Sequence, residues 1–264
     1  VTTKKGKAGK TQISANFSQG ITQVGKLLPL LNTEQYIAMR KEAFANAGTT
    51  PTVSNAPDLL VFDQNRYSDY QKEFLGGTGH TSNANLSLAG GSNATQFLLS
   101  GTYYRETSVF PGKLPNQRGS MLANISHTSD DKKFTVNFSG NYTLVENRAP
   151  SSDVTFNTFL APNTPDFFDT NGKLQWTYNG VTFQNPYAYL RETYKIRTNN
   201  LAGSLNASYK IWKGLSAKLL AGYNQQFTNE KSLSPADAKS PTTTNPGHSA
   251  DFAKNQFTTW NIEP

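Results

Sequence analysis

The sequence contains no cysteine. That absence excludes a disulfide framework, a thiolate zinc site and a cysteine nucleophile together. Charge is scarce as well: 16% of the 264 residues are Asp, Glu, Lys or Arg, against about 25% in an ordinary globular domain. No run of about 18 apolar residues occurs, so no transmembrane helix is expected. A β-barrel is not excluded, because its strands alternate and never build a long apolar run. The opening Val1-Thr2-Thr3-Lys4-Lys5-Gly6-Lys7 lacks the apolar h-region of a signal peptide, and both ends read as cuts inside a longer chain.

Catalytic constellations are missing too. His80, His127 and His248 lie far apart, at no metal-ligand spacing. Asp169-Thr170-Asn171-Gly172 has a calcium-loop flavour, but the other ligands and the terminal Glu are out of register, so it reads as a turn. No nucleophile elbow, phosphate loop or dinucleotide fingerprint appears. No enzyme, cofactor or metal is expected. The net charge of +7 is concentrated at Lys4, Lys5, Lys7 and Lys10, where no acid intervenes. Without basic residues and stacking aromatics interleaved along the chain, nucleic-acid binding is not expected either.

What is present is neutral polarity, aromatics at 12%, and alternation. Strands with two different faces are expected at Thr11–Gln23, about Gly79–Ala89, Thr95–Thr107, Arg118–His127, Lys133–Val145, Arg197–Tyr209 and Leu215–Phe227. An eighth begins near Asn255 and is truncated. The cleanest is the fifth, where Phe134, Val136, Phe138, Gly140, Tyr142 and Leu144 alternate with Thr135, Asn137, Ser139, Asn141 and Thr143. These spans have the length needed to cross a bilayer at a barrel's tilt. Their connections alternate between short and long, as periplasmic turns and extracellular loops do. The sequons at Asn16, Asn85, Asn124, Asn137, Asn141 and Asn206 fall inside strands and read as a hydrated strand face. Tyr103, Tyr104, Tyr142, Tyr209, Trp212 and Tyr223 are expected near strand ends, as an interfacial girdle.

The first long connection should hold one short helix. Asn32 is its N-cap, Gln35 completes a capping box, Tyr36, Met39, Ala43 and Ala47 recur at helical spacing, and Gly48 ends it. The third long connection is crowded with rings. Among them Trp176, Tyr178, Phe183 and Tyr187, beside Asn179, Gln184 and Asn185, are the candidate ligand-binding residues: ring faces with amide neighbours can stack a sugar or pack a peptide. Self-packing of a compact loop is the competing reading.

Several segments resemble one family. Val1-Thr2-Thr3-Lys4-Lys5-Gly6-Lys7-Ala8-Gly9 looks like the junction between plug and barrel in TonB-dependent outer-membrane transporters. Leu30-Leu31-Asn32-Thr33-Glu34-Gln35-Tyr36 with Arg40-Lys41-Glu42-Ala43-Phe44 is similar to the first barrel loop of the SusC/RagA group. So are the hairpin Leu86-Ser87-Leu88-Ala89-Gly90-Gly91-Ser92 with Phe97-Leu98-Leu99-Ser100-Gly101-Thr102-Tyr103-Tyr104, Asn185-Pro186-Tyr187-Ala188, and Trp260-Asn261-Ile262-Glu263-Pro264.

The resemblance implies an all-β fold: an antiparallel transmembrane β-barrel of which about 7–8 strands of a 22-stranded whole are present. Residues 1–10 would be the plug–barrel junction and 11–264 the N-terminal part of the barrel. It further implies a bacterial outer-membrane location, with lipid against the wall. The implied partners are a SusD-like surface lipoprotein and the TonB complex, the latter acting through an upstream plug. The substrate would be an oligosaccharide or oligopeptide. Two alternatives stay open: a secreted β-sandwich glycan-binding module, and a complete small eight-stranded barrel.

Overall fold

The computed structural model describes residues 6–112, 114–243 and 247–264. The junction segment Val1–Lys5 lies outside them. Eight long strands form one antiparallel sheet: β1 (Gly9–Thr22), β2 (Gly79–Gly91), β3 (Thr95–Thr107), β4 (Pro115–Thr128), β5 (Phe134–Pro150), β8 (Thr193–Trp212), β9 (Leu215–Ser234) and β10 (Ser249–Glu263). Spatial order follows chain order, so every neighbour is a simple up-and-down partner. A separate hairpin, β6 (Thr177–Tyr178) and β7 (Val181–Thr182), turns at Asn179-Gly180, both at positive φ. That pair supplies the left-handed backbone a two-residue hairpin turn needs.

No second sheet covers the wall among the described residues, which removes the sandwich alternative. Strands β1 and β10 stand at the two edges and do not pair with each other, so the eight strands do not close into a small barrel.

Register sorts the side chains. Phe138 pairs with Ile125 and Leu205, Tyr142 with Met121 and Leu201, and Gly101 with Leu86 and Met121. Directly paired residues share a face, so these apolar side chains make one continuous surface. Asn16, Asn85, Thr102, Ser120, Thr143, Asn200 and Gln226 run across the opposite face in one paired row.

The upper row of this apolar belt runs through Phe17 on β1, Tyr103 on β3, Leu144 on β5 and Phe227 on β9, and dips one row to Leu201 on β8. From Phe134 to Leu144 the chain rises roughly 33 Å at about 3.3 Å per residue. A tilt of about 45° reduces that to about 23 Å, close to the ~25 Å apolar band of barrel walls.

Strand ends differ from the sequence expectation on one side of the belt. β5 runs on to Pro150, β8 starts at Thr193, β9 continues to Ser234, and β10 begins at Ser249 rather than near Asn255. All four extensions lie beyond the belt, toward the long connections. Both faces meet water there, so the sequence need not alternate. Tyr142 and Tyr223 therefore lie within the belt in mid-strand rather than at a strand end, and Tyr104 lies on the polar face.

The expected helix is α1 (Thr33–Asn46), with Asn32 as N-cap and both capping-box bonds formed. Its inward face is Thr33 and Ile37, while Met39 points outward. The same connection adds α2 (Pro57–Leu60) and α3 (Tyr70–Leu75), and the third long connection adds α4 (Tyr187–Arg191).

Candidate translocation surface and loop cap

Two surfaces are built for contact with something other than this sheet. The first is the polar face of the wall. At the level of the belt its groups are mostly neutral amides and hydroxyls that bond laterally: Asn85 Nδ2 donates to Thr102 Oγ1 at 2.8 Å and Ser100 Oγ at 3.1 Å, Ser126 Oγ to Asn137 Oδ1 at 2.9 Å, and Asn200 Nδ2 to Asn224 Oδ1 at 3.2 Å. Such a surface stays wet, and charged groups on this face, among them Arg118, Glu106, Glu230 and Asp251, stand toward the long connections. The opposite face is bare hydrocarbon: Met121 is 69% exposed, Phe17 66% and Trp260 72%. In water so large an uncovered apolar surface marks a membrane or partner contact.

The second surface is the cap made by the first and third long connections. Among the described residues, all the buried apolar ones except Ala238 lie in these connections. One cluster joins Tyr70, Phe74, Val154 and Phe167, with Phe183, Tyr187 and Tyr189 packed on it. A second joins Ile37, Ala56 and Leu59. The two connections are tied by hydrogen bonds between residues about a hundred apart in sequence. Arg66 Nε donates to Thr164 O at 2.8 Å and its Nη2 to Asp166 at 2.8 Å. Tyr70 Oη donates to Thr164 O at 2.9 Å, and Asn163 Nδ2 to Asp58 O at 2.8 Å.

Three bonds to carboxylates set the electrostatics of the cap. Tyr36 Oη and Arg40 Nε both donate to Asp58 Oδ2, at 3.0 and 2.8 Å. Burial, reinforced by the Asp58 carboxylate, pushes the Tyr36 phenol up to about 12. Tyr187 Oη donates to Glu73 Oε1 at 3.0 Å. Burial raises the pKa of Glu73 above the ordinary carboxylate range, against the opposing hydrogen bond from Tyr187. Asn185 is buried and acts as a hub: its Nδ2 donates to Phe167 O at 2.6 Å and Gln175 O at 3.0 Å, and its Oδ1 accepts from Tyr187 N.

The four ring residues singled out in the sequence fall together here, with unequal roles. Tyr187 packs inward against Phe74, Phe167 and Phe168. Phe183 and Tyr178 meet Phe62 edge-on, at 6.3 and 6.2 Å between centroids. Trp176 is half-buried at the foot of the β6–β7 hairpin, its carbonyl accepting from Phe183 N. Sequence reading missed Arg66, Asp58, Asn163 and Glu73. Their partners lie far away along the chain, so no local spacing announces them. Phe62 had a signal, an aromatic just after a Pro-capped turn of helix, but no indication of its partners.

No family model matches the chain. It is 24% identical over 246 residues to TonB-dependent receptor P3 of Formosa agariphila, covering 89% of this chain and 23% of that one. It is 23% identical over 239 residues to TonB-dependent receptor P39 of the same organism, covering 88% and 22%. The chain thus spans under a quarter of the length of these curated relatives. Among solved structures it is similar to the RagAB peptide importer in its closed-closed state, with TM-score 0.76 and 20% identity over 98% of this chain and 33% of that one. The open-open state gives 0.74. The structural match establishes the fold as a segment of this large barrel. With the receptor matches it bears out the likeness to SusC/RagA-type TonB-dependent transporters read from the hairpin and first-loop motifs.

Proposed function

We propose that this SusC/RagA-like chain forms a segment of the barrel of a TonB-dependent importer in a bacterial outer membrane. One observation carries the reading most directly. The apolar side of the sheet is left uncovered by protein over a belt of bilayer height, while the other side is polar. Lipid satisfies the first surface. A wet lumen, filled by a plug, satisfies the second.

In this reading residues 1–10 join the plug to the wall and residues 11–264 begin the barrel. The two unpaired edges, β1 and β10, are where further strands of the wall attach, since an open edge strand is otherwise an aggregation hazard. Energy reaches the substrate path through the plug and the TonB complex. A SusD-like surface lipoprotein covers the mouth above the cap, and oligopeptides or oligosaccharides are the cargo. The neighbour's description as a peptide importer supports the peptide branch. Trp176 and Tyr178 offer ring faces to the substrate, while Phe183 and Tyr187 hold the platform beneath them.

The test is uptake in cells lacking the receptor, supplied with fluorescent oligopeptides and oligosaccharides of graded length. Loss of entry of one class, restored by the wild-type gene, supports import. Unchanged entry of both classes, with the protein recovered in the soluble fraction, refutes it. Within the same assay, Trp176→Ala with Tyr178→Ala should lower uptake severalfold without changing receptor abundance.

A further inference from the structure

Just beyond the apolar belt, on the long-connection side, charge is segregated between the two faces of the wall. The outward face continues upward from Leu144 into Glu146 and Arg148, and from Leu201 through Asn199 into Arg197 and Lys195. Register places Arg148, Lys195 and Lys231 side by side in one row. Like charges directly opposite one another destabilise a sheet unless something neutralises them. The next row adds Arg105, Arg197 and Lys254.

Glu146 is the one acid on this outward collar among the described residues. It is already shared, accepting from Arg148 at 2.9 Å and Lys195 at 3.0 Å. Lys231 rests over the Phe252 ring at 5.4 Å, and no acid pairs with Arg197 or Lys254 among the described residues. The inner face beside these rows has the opposite balance, with Glu106, Glu230 and Asp251 against Arg118.

We propose that this collar, centred on Arg148, Lys195 and Arg197, is a docking site for the phosphate of an anionic membrane lipid. The lipid's acyl chains would lie on the belt below. The proposal rests on the lipid-facing reading of that belt and names what stands at its rim. Position commits the occupant. The cations stand on the same face as the belt, directly above Leu144 and Leu201, where a lipid presents its headgroup. Below Arg148, on the β1–β5 side of the collar, the wall is dented. A hollow of about 750 Å³ is lined by Ala84, Gly101, Gly119, Met121, Tyr142 and Leu144. A side chain on Gly101 or Gly119 would meet nothing, so both leave open space for hydrocarbon. A free anion would gain from the cations and nothing from the hollow. A phosphate-bearing lipid gains from both.

The experiment is native mass spectrometry of the whole receptor in detergent, with phosphatidic acid and a neutral digalactosyl lipid of identical chains. Each basic residue at headgroup level is worth a factor of about five in binding. Wild type should therefore retain phosphatidic acid at least about tenfold better than the neutral lipid. R148Q/K195Q/R197Q should lose that preference while keeping the neutral lipid, which also reports that the variant is folded. K210Q/K213Q/K218Q removes equal charge at the short-turn end and should leave the preference intact.

Equal loss in both triple variants, or no preference in wild type, overturns the proposal and leaves the lipid-facing belt standing. So does inorganic phosphate displacing the lipid at matched concentration, which would mark a soluble-anion site. Failure to retain either lipid removes the belt reading itself.

Discussion

The wall and the cap solve opposite problems with the same residue types. In the wall Phe138, Met121 and Ile13 are exposed, and the sheet has no apolar core of its own. In the cap Phe74, Tyr70 and Phe167 are buried to within a few per cent, as in a small soluble domain. The wall's order comes from backbone ladders between strands that follow one another along the chain. The cap's order comes from side chains about a hundred residues apart, such as Arg66 with Thr164 and Tyr187 with Glu73. Membrane solvent explains the difference. Lipid rewards exposed hydrocarbon and forbids unpaired backbone, whereas water rewards a closed core.

The comparison can be broken most sharply by emptying the cap's core. Phe74→Ala should cost the cap about 3–5 kcal/mol, the usual range for a buried Phe. Hydrogen exchange in vesicles should show residues 57–75 and 154–190 opening while β3–β5 keep their protection. Simultaneous loss of protection in the strands would mean that wall and cap are one cooperative unit.

A paired substitution probes the wall. Met121→Arg places a cation in the belt and should cost about 2–4 kcal/mol in denaturant titrations of the reconstituted protein. Ser120→Arg, one residue away on the polar face, should cost much less. Equal costs would contradict the assignment of faces.

Smaller effects refine the cap. Asn185→Ala leaves the Phe167 and Gln175 carbonyls without their amide donor and should cost about 1–3 kcal/mol. Trp and Tyr fluorescence of the third connection should report the loosening. The smallest effect is in alkali. The folded-state pKa of Tyr36 lies above the unfolded phenol at about 10, so its contribution is complete below pH ~10. It is lost as pH rises through the folded value of about 12. Tyr36→Phe should abolish that loosening, and persistence of the transition in the variant would assign it elsewhere.

Legibility in the sequence followed the same division. Inside the belt, alternation is obligatory, and the strands from Thr95 to Thr107 and from Phe134 to Leu144 were readable residue by residue. Beyond the belt both faces meet water. The last residues of β5 and β9, the first residues of β8, and the first six residues of β10 carry no alternation to read. In the cap, Asn32 with Gln35 was legible because a cap is a local event, whereas Asn179, read as an amide beside the rings, instead forms a tight turn with Gly180. The ring cluster was visible as composition. That Tyr187 turns inward depends on Phe74 and Glu73, more than a hundred residues earlier.

The absence of cysteine makes the central claim directly measurable. Single cysteines placed in turn from Phe134 to Leu144 can be spin-labelled in the receptor reconstituted in vesicles, and their collision rates with oxygen and with a water-soluble nickel chelate compared. Labels at 134, 136, 138, 140, 142 and 144 should favour oxygen, which concentrates in hydrocarbon. Labels at 135, 137, 139, 141 and 143 should favour the chelate, or neither where a plug covers them. A flat profile, or an alternation of opposite phase, would contradict a wall with lipid on one side and a wet lumen on the other.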